Sequence, residues 1–251
     1  MKEIPNLHYF LGRGRAETTR WMLAINQIEF KNIPIETPST LAAIRSSGKL
    51  PFDQIPLLEI DGLNLSQSSG MVRYLARRGK FYPEDPKEAV WCDMIAGAVA
   101  DFAETAMQAA FQSTRERAVS ALRERFAKFG PRFEQRLIDN GGGYNVGDNL
   151  TFADVLLAEA LNSYLDWIPD ILQETPRISD LYQRVINTNG ISSYLNSDQR
   201  YPFADDKYII DVARVLKRHL PSHMDRPDRF CLLYTSPSPR DLSTSRMPSS
   251  A

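Results

Sequence analysis

Gln54-Ile55-Pro56-Leu57-Leu58-Glu59-Ile60-Asp61-Gly62-Leu63-Asn64-Leu65 reads as two short alternating strands joined at Asp61-Gly62, the dipeptide favoured in two-residue hairpin turns. The strands it joins are therefore antiparallel. Working outward, Leu7-His8-Tyr9-Phe10 is a short strand, Gly12-Arg13-Gly14-Arg15 a turn, Ala16 to Asn26 a helix and Glu29 to Ile35 a second strand, which makes a βαβ unit. A weak helix spans Ser39 to Ser46, and Ser66 to Arg78 closes the hairpin unit with Met71, Tyr74 and Leu75 on one helical face. The order is βαβ, then ββα, with a mixed four-stranded sheet.

Strand signals stop at Phe81-Tyr82-Pro83-Glu84-Asp85-Pro86, so residues 1–81 form one expected domain, 82–86 a linker and 87–220 an all-helical domain. The second domain's first helix carries Trp91, Met94, Ile95, Ala98, Phe102 and Ala106 at helical spacing, which predicts a buried stripe. Val119 to Leu137 repeat the pattern, with a kink expected at Pro131. Thr151-Phe152-Ala153-Asp154 has the spacing of a variant capping box. A last amphipathic helix is expected over Asp206 to Leu220, with Ile209, Val212, Ala213 and Leu216 sharing a face. From Cys231 onward six Ser, three Pro and two Thr stand among 21 residues, too little apolar surface to offset ordering entropy. Residues 221–251 therefore read as a disordered, non-native tail.

Composition sets further bounds. Of 251 residues, 43% are hydrophobic and 24% charged, with a net charge of −1. That balance gives no positive field for a phosphate backbone, so nucleic acid is not an expected partner. No segment reads as a signal peptide or a membrane span, and the cytosol is the expected compartment. Cys92 and Cys231 lie far apart, so they suggest neither a disulfide framework nor a dithiol centre, and no metal is expected. Any thiol chemistry must use a thiol the chain does not own.

The ordered set Leu7-His8-Tyr9-Phe10, Gly12-Arg13-Gly14-Arg15, Gln54-Ile55-Pro56, Glu59-Ile60-Asp61-Gly62, Gln67-Ser68, Asp101 and Val146 to Asp154 resembles the cytosolic glutathione transferases. The resemblance covers about residues 4–218 and is nearest the alpha class among the tyrosine-type groups. It implies a thioredoxin-like glutathione-binding domain joined to an all-helical domain with a hydrophobic substrate pocket. It also implies a dimer that conjugates glutathione, its co-substrate, to small hydrophobic electrophiles in detoxification.

The resemblance further implies roles for particular residues. Tyr9 hydrogen-bonds the glutathione sulfur and stabilises the thiolate, and Arg15, a cation at a helix N-terminus where the dipole disfavours it, steadies the same anion. Without the resemblance, Tyr9 reads as a packed tyrosine and Arg15 as a solvated one of the three arginines Arg13, Arg15 and Arg20; Arg20 reads as surface charge. The Ile55–Pro56 bond is implied to be cis, so that the Ile55 backbone pairs with the cysteinyl part of glutathione. Gln67 and Ser68, with Gln54, serve the γ-glutamyl end at a helix N-terminus; ordinary capping is the other reading of Ser68. Arg45, or Lys49 in its place, meets the glycine carboxylate. Asp101 reaches the γ-glutamyl amine bound in the other subunit, with Lys128 as an aid, or is an exposed helix charge. Phe52 is the key that inserts between helices of the partner subunit, or a core phenylalanine. The hydrophobic pocket falls to Phe10, Gly14, Met107, Phe111, Ile209, Ala213 and Leu216.

Two other functions share this scaffold: a glutathione-dependent isomerase of the prostaglandin type, weakened because no Trp lies between Ile35 and Pro56, and a non-catalytic, crystallin-like binding protein. Ser69 departs from the arginine expected near the alpha-type dimer axis. A thioredoxin-like oxidoreductase is excluded by the lack of a cysteine at the first strand-to-helix turn.

Overall fold

The computed structural model describes residues 3–141 and 143–220; the expected tail from residue 221 lies outside them. Strands β1 (Asn6–Tyr9), β2 (Lys31–Pro34), β3 (Leu57–Ile60) and β4 (Leu63–Ser66) form one sheet in the order β2-β1-β3-β4. Strand β1 runs parallel to β2, with Leu7 opposite Asn32, and antiparallel to β3, with Leu7 opposite Leu58. The β3–β4 hairpin turns at Asp61 and Gly62, whose φ of 53° and 76° are the paired left-handed residues that match the twist of the flanking strands. Helices α1 (Glu17–Ile25), α2 (Pro38–Ser46) and α3 (Ser68–Arg78) complete this part, and a 3₁₀ turn over Gly14–Ala16 leads into α1. Helix α3 starts two residues later than the sequence suggests.

Helix α4 (Pro86–Ala109) begins where Asp85 accepts hydrogen bonds from the N–H groups of Lys87 and Glu88, with Pro86 in the first turn, where the missing N–H costs nothing. Helix α5 (Arg115–Asp139) runs on through Pro131 without ending there. Helix α6 (Phe152–Trp167) starts at the expected box: Asp154 accepts from the backbone N–H and hydroxyl of Thr151, each at 2.8 Å, and from the backbone and side-chain amides of Asn145. Helices α7 (Pro176–Ile186), α8 (Asn189–Leu195) and α9 (Asp206–Val215) follow. In the helical core Tyr164 stacks on Phe102 at 4.1 Å and donates its hydroxyl to the Phe102 carbonyl. Helix α6 packs on both α4 and α1, joining the helices to the sheet side.

The structure corrects two expectations. Trp91 and Met94 are not buried: they are 41% and 56% exposed. The face of α4 that meets its neighbours is set by Cys92, Ile95, Ala96, Val99 and Phe102, the same helical period shifted by one residue. The exposed Trp91 ring is covered instead by the Arg136 guanidinium at 4.2 Å. Arg20, read as surface charge, is buried. It pairs with Glu17 and donates to Asn32 and to the carbonyls of Gly12 and Arg13, with the Tyr201 ring 4.7 Å away.

Candidate active site

The site forms where β1 ends and the chain turns through Gly12 to Arg15. Tyr9 is the last residue of β1 and is buried. Its ring contacts Phe10 at 5.1 Å. The hydroxyl oxygen accepts the backbone N–H of Arg15 at 3.1 Å, a bond that the 3₁₀ turn sets up by aiming that N–H back at the strand end. Burial holds the Tyr9 phenol above its ordinary range, against hydrogen bonds from Arg15 and Tyr208 and the nearby charges of Arg15 and Arg20. Tyr9 is thus a neutral O–H donor at neutral pH. Gly14 (φ 43°) lies under this hydroxyl: a Cβ there would sit 2.7 Å from it.

The Arg15 guanidinium pairs with Glu104 of α4 at 3.2 Å, and more than half of it is exposed. Its charge is also close enough to favour an ionised Tyr9.

A second cluster sits at the start of α3. Gln67 donates its side-chain amide to Gln54 Oε1 at 2.6 Å, bringing together two residues that the sequence separates by thirteen positions. Gln67 holds a left-handed backbone, φ 66° and ψ 106°, a conformation that is costly for a side chain with a Cβ and that clusters at ligand sites. Ser68 opens the helix, and Gln67 makes no side-chain capping bond, so the ordinary capping role is not taken up there. The first-turn N–H groups of such a helix attract an anion. The Ile55–Pro56 bond between these clusters is cis.

Both cations expected at the glycine end already hold carboxylates. Arg45 Nε lies 3.1 Å from Asp53, and Lys49 pairs with Glu59, which also accepts His8 at 2.7 Å. Desolvation is the largest single influence on the Glu59 carboxyl and pushes it up, but the hydrogen bonds and charges of Lys49 and His8 together outweigh it and hold the carboxyl below its usual range. Asp101 on α4 and Lys128 on α5 are exposed, and Phe52 is 66% exposed, so Phe52 is not a core residue. Of the expected pocket residues, Met107 and Phe111 lie at the end of α4 and Ala213 and Leu216 at the end of α9, while Ile209 packs into the core.

Two residues of the site escaped the sequence reading. Tyr208 on α9 brings its hydroxyl to the same point above Gly14 as Tyr9, 2.8 Å from where a Cβ would stand. Its position one residue before Ile209 and four before Val212 could have placed it on the inner edge of the last helix. Arg20 fixes the turn from below. Its signal was a charge directly before the apolar run Trp21 to Ile25, three residues after Glu17. Among the described residues, no group of three or more His, Cys, Asp or Glu is arranged to hold a metal ion.

Residues 5–77 match the family described as Glutathione S-transferase, N-terminal domain, and residues 100–198 match Glutathione S-transferase, C-terminal domain. Glutathione S-transferase A1 of Bos taurus is 35% identical over 217 residues, covering 85% of this chain and 98% of that protein. Glutathione S-transferase alpha-5 of Rattus norvegicus is 34% identical over 215 residues, covering 84% and 97%. Among solved structures, NaGST-2 superposes with a TM-score of 0.68 at 27% identity, covering 77% of this chain and 96% of that one. Prostaglandin synthase D of Nilaparvata lugens, at 24% identity and a TM-score of 0.67, shares the fold.

Fold and site geometry together set a buried, neutral phenol at the end of a strand in a mixed sheet whose last strand leads into the N-terminus of a helix. The chain belongs to the glutathione S-transferase family, and its curated relatives are of the alpha class.

Proposed function

We propose that this chain binds reduced glutathione, stabilises its thiolate with Tyr9 and conjugates the sulfur to small hydrophobic electrophiles. The observation that carries this reading is the buried Tyr9 hydroxyl, kept neutral by desolvation and anchored by the Arg15 N–H. A phenol in that state does not take the thiol proton. The proton leaves to solvent, and Tyr9 donates its own hydrogen to the sulfur anion, with the Arg15 cation alongside. Gln54, Gln67, Ser68 and the Ile55 backbone hold the peptide, and the left-handed Gln67 presents the first turn of α3 to the γ-glutamyl carboxylate. Arg45 and Lys49 would each meet the glycine carboxylate by exchanging Asp53 or Glu59 for it.

Magnitudes divide the work. Lowering a thiol from about 8.5 by two units raises its thiolate fraction at neutral pH about twenty-five-fold. The weaker base loses about six- to ten-fold in nucleophilicity, so ionisation alone gives only a few-fold. The remainder comes from holding an electrophile beside the sulfur. That role falls to the apolar surface of Phe10, Met107, Phe111, Ala213 and Leu216 over Gly14.

The same reading makes the protein a cytosolic homodimer. Its support is the apolar side of α4, where Val90, Trp91 and Met94 stand exposed, together with the exposed ring of Phe52. Such aromatic and Met-rich surface suits a subunit contact, and Asp101 on the same helix would then reach the neighbouring site. No helix among the described residues is long and apolar enough to cross a membrane.

The test is a titration of bound glutathione by thiolate absorbance, with turnover of a chloronitrobenzene. A thiol pKa well below about 8.5 that rises in Tyr9→Phe, with turnover falling alongside, is the expected result. Glutathione binding with neither thiolate nor turnover would overturn the reading in favour of a binding protein.

A further inference from the structure

Helix α9 is seated on the site by one side chain. The Tyr208 ring lies in a notch that only glycine leaves open: a Cβ on Gly12 would stand 2.2 Å from Tyr208 Cε2. The backbone N–H of Tyr208 is held by the Asp205 carboxylate at 2.8 Å, the N-terminal cap of α9. With main chain and ring both fixed, the Tyr208 and Tyr9 hydroxyls converge above Gly14, each within 2.8 Å of the point where a Cβ would stand.

The direction of the bond follows from its consequences. Because Tyr9 gives its own hydrogen to the sulfur in the transferase reading, the Tyr208 hydroxyl beside it can engage the Tyr9 oxygen only as a donor. That oxygen has two lone pairs and one proton. The Arg15 N–H takes one lone pair at 3.1 Å and Tyr208 takes the other. What remains to Tyr9 is its own O–H, with no choice but to donate. The charges facing Tyr9 are Arg15 of the turn and Arg20 of α1, both of which favour its ionised form.

We infer that Tyr208 is a positioning residue acting through Tyr9: by donating to the Tyr9 oxygen it fills the last acceptor site and polarises the Tyr9 O–H toward the glutathione sulfur. The inference rests on the transferase reading above and deepens it. In a chain of hydrogen bonds each member strengthens the next, by roughly 10–30%. Applied to a hydrogen bond that a charged sulfur accepts, this corresponds to roughly 0.1–0.6 of a pH unit in the thiol pKa, or up to about four-fold in thiolate below that pKa.

The experiment measures the pKa of glutathione bound to the full chain by thiolate absorbance, in wild type, Tyr208→Phe, Tyr9→Phe, the double variant and Gly12→Ala. Tyr208→Phe keeps the ring in its notch and removes only the hydroxyl. It is expected to raise the thiol pKa within the range above, and to have no effect on it once Tyr9 is Phe. Gly12→Ala, which expels the ring, is expected to raise it likewise. An unchanged thiol pKa in Tyr208→Phe, or an equal shift with and without the Tyr9 hydroxyl, overturns the inference. A change confined to KM for the electrophile also overturns it, because it shows Tyr208 to be pocket lining alone. If Tyr9→Phe itself leaves the thiol unmoved, the transferase reading fails first and the inference falls with it.

Discussion

Glu17 and Arg20 form a 3.0 Å ion pair one turn apart on α1, with side chains only 3% and 1% exposed. Glu17 also accepts the Trp21 indole N–H and the Tyr194 hydroxyl from α8, while Arg20 holds the carbonyls of Gly12 and Arg13. The pair thus ties the helical part to the turn that carries the site.

Removing one partner of such a pair leaves the other charge buried and alone. Arg20→Ala is expected to cost about 3–5 kcal/mol of stability in chemical denaturation. Arg45→Ala, whose pairing with Asp53 is largely exposed, is expected to stay within about 1 kcal/mol. An Arg20→Ala loss as small as that of Arg45→Ala would show the network to be solvated and the anchoring of the turn to lie elsewhere.

Asp154 is buried and its carboxylate accepts four hydrogen bonds, two from Thr151 and two from Asn145. Asp154→Ala breaks the capping box of α6 and strands those donors, an expected loss of about 2–4 kcal/mol. Because α6 is packed on α1 and α4, the loss should appear in the global unfolding transition. Selective fraying of the α6 start, seen by hydrogen exchange without a shift of that transition, would contradict this.

These two cases show what a sequence discloses. The Asp61-Gly62 turn and the Thr151–Asp154 box are local chemistry, and each was legible because the residues that cause the structure are adjacent to it. The strand that ends at Tyr9 was legible from its pattern, and the role of Tyr9 only through the family resemblance. The burial of Arg20 was not, because its acceptors come from Asn32 and from backbone carbonyls brought round by the turn. Nor was Tyr208, whose role depends on a notch at Gly12 almost two hundred residues away. On α4 the period was right and the phase wrong by one residue, since periodicity fixes a stripe only after its neighbours are known.

Glu159 on α6 is unused by the proposed chemistry and gives a pH signature. Burial, with repulsion from Glu17 and Asp166 against attraction by Arg13, pushes its carboxyl from an ordinary 4.5 up to about 8. Between these values the unfolded chain releases the proton and the folded chain keeps it. Stability therefore falls as pH rises through that window, by at most about 1.4 kcal/mol per unit, and levels off above it. Glu159→Gln should match wild type near the lower limit and exceed it increasingly toward the upper one. Parallel curves for the two proteins across the window would refute the assignment.

Gln67 combines an amide bonded to Gln54 with a backbone at φ 66°, and the two features separate in two substitutions. Gln67→Ala keeps the left-handed strain and loses the amide. It should raise the KM for glutathione about ten-fold, the equivalent of one ligand hydrogen bond of roughly 1.4 kcal/mol, with kcat little changed and stability nearly that of wild type. Gln67→Gly loses the same amide but relieves a left-handed cost of about 1–2 kcal/mol. Part of that gain is offset by the greater freedom of glycine in the unfolded chain, leaving a net stabilisation of about 0.5–1 kcal/mol. A variant that is more stable and binds glutathione less well would mean that the strain at Gln67 is maintained for the ligand and not for the fold. Equal stability of the Ala and Gly variants would mean that the backbone there is not strained, and that the side-chain amide alone accounts for the position.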